Sequence, residues 1–126
     1  MRKEKKMELG TVKINNDVIA SIARNAALAV DGVASLKVSP ISVLAELFNK
    51  RYYNQGVGIE VTEQDVRLEI TIVVRYGVNI PEIAGTVQDS VRAAIEELTG
   101  LNVAEVNVTV GGLLTQKHEA EEQRGE

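Results

Sequence analysis

Cysteine is absent from this 126-residue chain, which excludes disulfides and thiolate metal sites. Histidine occurs once, as His118 among Glu119 and Glu121 near the C-terminus, where a solvated side chain is expected and not a metal ligand. A lone imidazole leaves the serines without a general base and removes most acid–base and nucleophilic chemistry. Tryptophan is absent, and one Phe and three Tyr bring the aromatics to 3%, so the core must be built from Val, Ile, Leu and Ala. Long apolar runs are missing as well. Residues 26–30 are five in a row, far short of the roughly 20 that cross a bilayer. The basic start is broken at Glu8, Gly10 and Lys13 before any signal-type apolar region, so a cytoplasmic protein is expected. Fourteen basic against eighteen acidic residues give a net charge of −4 and a pI near 5.1. Such a chain lacks the footprint and stacking platforms of a nucleic-acid binder, so no nucleic-acid partner is expected.

What is present reads as one domain over residues 9–114, between a basic tail at 1–8 and an acidic tail at 115–126. Residues 11–14 alternate as a short strand. Asn15, Asn16 and Asp17 offer capping side chains for a helix to about Val30, with Ile19, Ile22, Ala26, Ala29 and Val33 on its apolar face. Val57, Ile59 and Val61 mark a second strand. Val66, Leu68, Ile70, Ile72, Val74 and Tyr76 mark the clearest one. Pro81 opens a second helix with a stripe of Ala84, Val87, Val91, Ile95 and Leu98, on which Arg92 and Glu96 stand one turn apart and can pair. Gly100 stops it, and Val106, Val108 and Val110 form the last strand. The order β-α-(α)-β-β-α-β predicts an α+β two-layer sandwich, two main helices on a three- to four-stranded mixed sheet. A ferredoxin-like topology is the first expectation; a three-stranded sheet with a loosely attached first strand is the second.

No stretch of the sequence carries a catalytic or cofactor motif. Gly56-Val57-Gly58 is followed by Val61 where a dinucleotide loop needs its third glycine, and it enters a strand instead of a helix. Glu96 and Glu97 are adjacent on a helix and point apart. No enzyme, cofactor or metal is therefore expected. One stretch, 36–55, is not required by the topology. Ile41, Leu44, Leu47 and Phe48 share a helical face, followed by Lys50, Arg51, Tyr52 and Tyr53. The plainer reading is a short helix closing the core. The sharper one makes Leu44, Leu47, Phe48, Lys50, Arg51, Tyr52 and Tyr53 a docking surface.

Three motifs in order resemble the alkaline shock protein family. They are residues 14–23 ending in Val30-Asp31-Gly32-Val33, then 76–84 with Val87-Gln88, then Leu98-Thr99-Gly100-Leu101 leading into the valine strand 103–112. The resemblance covers about residues 9–113. It implies a non-enzymatic cytoplasmic protein, mostly of Gram-positive bacteria, linked to envelope stress and alkaline shock. It also implies self-association and a peripheral place at the inner face of the membrane. A small membrane-anchoring protein would hold it there, without direct insertion. A regulatory domain for an enzyme of lipid metabolism is the alternative. The family brings no catalytic residues. In its signature, Tyr76, Gly77, Asn79, Ile80 and Pro81 read as a strand-to-helix corner with Gly100 as the helix stop. Gly85, in the helix interior, reads as a site of close approach of another backbone, in this subunit or in a neighbour. Here residues 38–41, Val-Ser-Pro-Ile, replace a stretch that is often glycine-rich.

Overall fold

The structure, a computed structural model, describes residues 4–7, 9–38 and 52–115. Two strands come first, β1 (Glu4–Met7) and β2 (Gly10–Lys13), paired antiparallel as a hairpin of their own. Residues 4–7 are thus a strand and not frayed tail. Backbone pairing needs no apolar face, so their charged composition gave no sign of it.

Helix α1 (Asn16–Leu28) follows, with Asn15 extended at its N-cap. The Asn15 side chain makes no cap bond, contrary to expectation; its carbonyl accepts from Val18 N–H at 3.0 Å. Asp17, also read as a capper, instead accepts from Asn54 Nδ2 at 3.3 Å. The face α1 buries is also shifted. Ile19, Ala20, Ala23 and Ala27 are wholly buried, Ile22 and Ala26 only partly, and Ala29 is exposed. Alanines let the helix axis approach the sheet closely, and the larger Ile22 goes to the flank.

Among the described residues the main sheet has five strands. β3 (Val33–Leu36) and β4 (Tyr52–Asn54) had no distinct sequence signal; β5 (Val57–Val61), β6 (Val66–Arg75) and β7 (Val103–Leu114) did. β6 is its axis. β5 pairs antiparallel with the first half of β6 and β3 with the second, while β7 runs parallel along the full length. β4 extends the sheet beyond β5. The strand at 10–13 stays outside this sheet, which is the second of the two expected topologies with two strands added.

Alternation on β6 is realised from Val66 to Val74, all five apolar positions being at most 1% exposed. Tyr76 falls past the strand and is 73% exposed. Helix α2 (Ile80–Thr99) carries the chain from β6 to β7, and Val87, Val91 and Ile95 are its buried contacts. Ala84 is only half-buried, and Leu98, read as core, is 68% exposed. Leu101, past the Gly100 turn, is buried in its stead. Glu96 does not turn to Arg92; its Oε2 accepts from the Val103 N–H at 2.9 Å, tying the helix end to β7. Both helices lie on one sheet face, packed against each other. The opposite face presents Arg67, Glu69, Thr71, Val73 and Arg75, none of them buried.

Candidate functional site

Of the residues read as a docking surface, Leu44, Leu47, Phe48, Lys50 and Arg51 lie outside the described residues. Tyr52 and Tyr53 form β4 and are half-buried. Tyr52 packs against the core, and its hydroxyl accepts from Asn54 Nδ2 at 3.3 Å. Across the ladder, Tyr53 is paired with Gly58, and a Cβ on that glycine would lie 2.6 Å from the Tyr53 Cε1. The ring therefore covers the glycine, filling what would be a hole in the sheet. These tyrosines belong to the sheet.

The signature residues build the corner between β6 and α2. Tyr76 donates its N–H to Leu114 O at 2.9 Å, closing the ladder. Gly77 has φ +99, a conformation that side-chain-bearing residues rarely adopt. Asn79 is the N-cap of α2, its Oδ1 accepting from Glu82 N–H at 3.1 Å, and Pro81 occupies the first turn where no donor is needed. Gly100 ends the helix, donating its N–H to Glu96 O at 3.0 Å. These bonds end the strand and start and stop the helix. Within this chain no other backbone approaches Gly85: a Cβ there would meet nothing within 4 Å. Asn79→Ala should cost about 1 kcal/mol of stability in chemical denaturation, the usual worth of a side-chain cap. A loss below about 0.3 kcal/mol would remove the cap from the account.

Beside this corner lies a feature that no single stretch of sequence announces. A groove of about 630 Å³ runs between the end of α1 and the start of α2. Val30 and Ile83 give it an apolar floor. Ala26, Ala29, Thr86 and Ser90 keep its walls low, and Asp31 and Glu82 stand on its rim. Gly32 sits against this floor, where a Cβ would come within 2.9 Å of Ile83 Cδ1 and 3.2 Å of Val78 Cγ1. From Asn16 to Thr99, the two helices and Asp31 present Asp17, Asp31, Glu82, Asp89, Glu96 and Glu97 against Arg24 and Arg92. Small facing residues, Ala26 and Ala29 with Thr86 and Ser90, were the only sequence signal, and they are some 60 positions apart.

Among the described residues no polar or charged side chain is buried, and no group of three His, Asp or Glu could hold a metal. No described helix is long and apolar enough to cross a membrane. The groove offers shape, an apolar floor and negative charge, which suit binding.

Related chains match over most of this length. The uncharacterized protein YqhY of Bacillus subtilis is 33% identical over 105 residues, 83% of this chain and 78% of its own. YloU of the same organism is 30% identical over 112 residues, covering 87% and 93%. Spy1535 of Streptococcus pyogenes is 30% identical over 111 residues, covering 86% and 83%. Among solved structures, MamM-CTD aligns over 78% of this chain and 99% of its own with a TM-score of 0.49 and 14% identity. Residues 4–115 match the model of the alkaline shock protein 23 family, described as having a cell envelope-related function. The motifs at the first helix, the corner and the closing strand are thereby placed: the chain belongs to the alkaline shock protein 23 family.

Proposed function

We propose that this chain is a non-enzymatic interaction module of the cell envelope, held at the inner face of the membrane by protein–protein contacts and able to associate with itself. The observation that carries the docking role is the groove between α1 and α2, apolar at its floor and acidic at its rim. An acidic rim over an apolar floor complements a basic amphipathic segment, the kind of sequence that flanks a membrane anchor on its cytoplasmic side. The partner is thus a small membrane-anchored protein presenting Lys or Arg beside apolar residues.

Titration with a synthetic amphipathic helix of lysines and leucines tests this. Binding is expected, weakening as salt rises. Combining Asp31→Lys with Glu82→Lys should reduce affinity about tenfold or more while thermal unfolding stays close to wild type, since both side chains are at the surface. Equal binding by the double variant would sink the groove as the docking site. The pure protein should bind neutral or anionic vesicles only weakly at physiological salt. Tight vesicle binding without a partner would argue for direct lipid contact instead.

A further inference from the structure

β7 is the longest strand of the sheet, and only β6 pairs with it among the described residues. The other edge of the sheet is formed by strands of three and four residues. Native proteins blunt a long edge with charge, proline or irregularity, because its free N–H and C=O groups template pairing with another chain. Residues 106–114 of β7 contain no charged residue and no proline. The register with β6 breaks on either side, between Val66 and Arg67 and between Ile72 and Val73, yet it is regular from Glu105 to Val110. Among the described residues the edge is blunted at its ends, while between them Gln88 of α2 reaches the Val106 carbonyl and no strand pairs with Val108 or Val110 on the side away from β6.

Within the regular stretch the residues read Val106-Asn107-Val108-Thr109-Val110. Read backwards its chemistry is unchanged: apolar, polar, apolar, polar, apolar. Gln88 Nε2 donates to the Val106 carbonyl at 3.0 Å, from α2 and not from β6. By strand alternation, Val108 and Val110 turn their amides and carbonyls the same way, outward from the sheet. Asn107 and Thr109 are exposed on the face away from the helices.

We propose that the β7 edge is a self-association surface, on which two copies of this chain pair antiparallel about a two-fold axis at Val108. This names the surface for the self-association included in the proposed function and rests on that reading. In this register Val108 faces its own counterpart, Val106 faces Val110, and Asn107 faces Thr109, twice by symmetry. Valine meets valine on the helix side, and amide meets hydroxyl on the open side. Glu105 of the strand faces the chain at Gly111, whose carbonyl accepts from Lys37 Nζ at 3.2 Å, so no like charges oppose each other there. The two sheets become one continuous sheet with the helix layers on the same side.

The test is charge patterning at the two exposed positions, read by sedimentation of the full chain over a range of concentrations. The wild type is expected to dimerise with concentration. Asn107→Lys combined with Thr109→Lys sets lysine opposite lysine twice, and should weaken the dimer about tenfold or more. The corresponding Glu pair should do the same. An equimolar mixture of the Lys and Glu variants should recover dimers, because each cross-strand pair is then of opposite sign. In the wild type, hydrogen exchange at the Val108 and Val110 amides should slow as concentration rises, a readout that needs no variant to fold.

Dimers that persist in both charge variants, with exchange at these amides independent of concentration, would overturn the edge and leave self-association standing through another surface. A wild type that stays monomeric up to its solubility limit would overturn both. Failure of the mixture to recover dimers, with each variant folded by circular dichroism, would overturn the register centred on Val108.

Discussion

Ile72→Ala should lower the unfolding free energy by about 3–4 kcal/mol, a large share of what a domain of this size possesses. Ile72 is fully buried in the middle of β6. It is flanked by Leu36 of β3 on one side and Val110 of β7 on the other, so both edges of the strand are held. Removing three carbons there leaves a cavity that the surrounding ladder cannot close, and the lost transfer energy is joined by lost packing. Urea denaturation followed by circular dichroism measures it, since the chain has no tryptophan to report. Ile72→Val, which removes a single methyl group, should cost only about 0.5–1.5 kcal/mol. A loss below about 1 kcal/mol for the alanine variant would mean that β6 is free to relax, against the pairing described.

Gly32→Val should destabilise by about 3 kcal/mol or more, through two separable causes. The backbone at Gly32 has φ +105, which a β-branched residue reaches only at a cost of about 1–3 kcal/mol. The added side chain would also press on Ile83 and Val78, at distances that begin at 2.9 Å. Overpacking of that kind adds about 1–3 kcal/mol. The chain cannot swing away, because the Gly32 carbonyl accepts from Arg75 N–H at 2.9 Å. Gly77 provides the control. Its φ is +99, but a Cβ there would meet nothing within 4 Å, so Gly77→Val bears the backbone cost alone. The difference between the two variants measures the packing under the groove. Equal losses would show that Ile83 and Val78 give way freely.

How much of this was legible follows from what periodicity reports. β6 and the stripe Val87, Val91, Ile95 were read correctly because a buried residue recurring every two or every three to four positions is a direct record of one covered face. α1 was harder. It is apolar on much of its circumference, and Ile22 with Ala26 competes with Ala23 and Ala27 for the core; the alanine face won by letting the helix sit closer. β3 has four residues, and its pairing with β6 shifts register between Val33 and Ser35, which leaves no alternation to see. The hairpin of β1 and β2 is written in backbone bonds, to which composition is blind. The corner at Asn79 and Pro81 was legible because its chemistry is local: a cap and a ring that needs no donor. The groove was not, since its two walls meet only after the sheet has brought distant helices together.

The arrangement of β3 and β5 along a single edge of β6 has a consequence for how this chain tolerates change. Leu36 pairs with Ile72 and Val57 with Ile70, so β3 and β5 stand two residues apart along the same edge of β6, and the chain between them re-enters the sheet at Tyr52 as β4. A Cβ on Gly56 would stand 3.1 Å from that of Leu36, which shows how nearly the ends touch. Whatever length of chain joins Lys37 to Tyr52, the pairings of β3, β4 and β5 close the same gap. Doubling that length should cost only about 0.6 kcal/mol of closure entropy. The position is therefore a natural graft point, where an epitope or a whole foreign domain could be spliced in while the strands on either side keep their register.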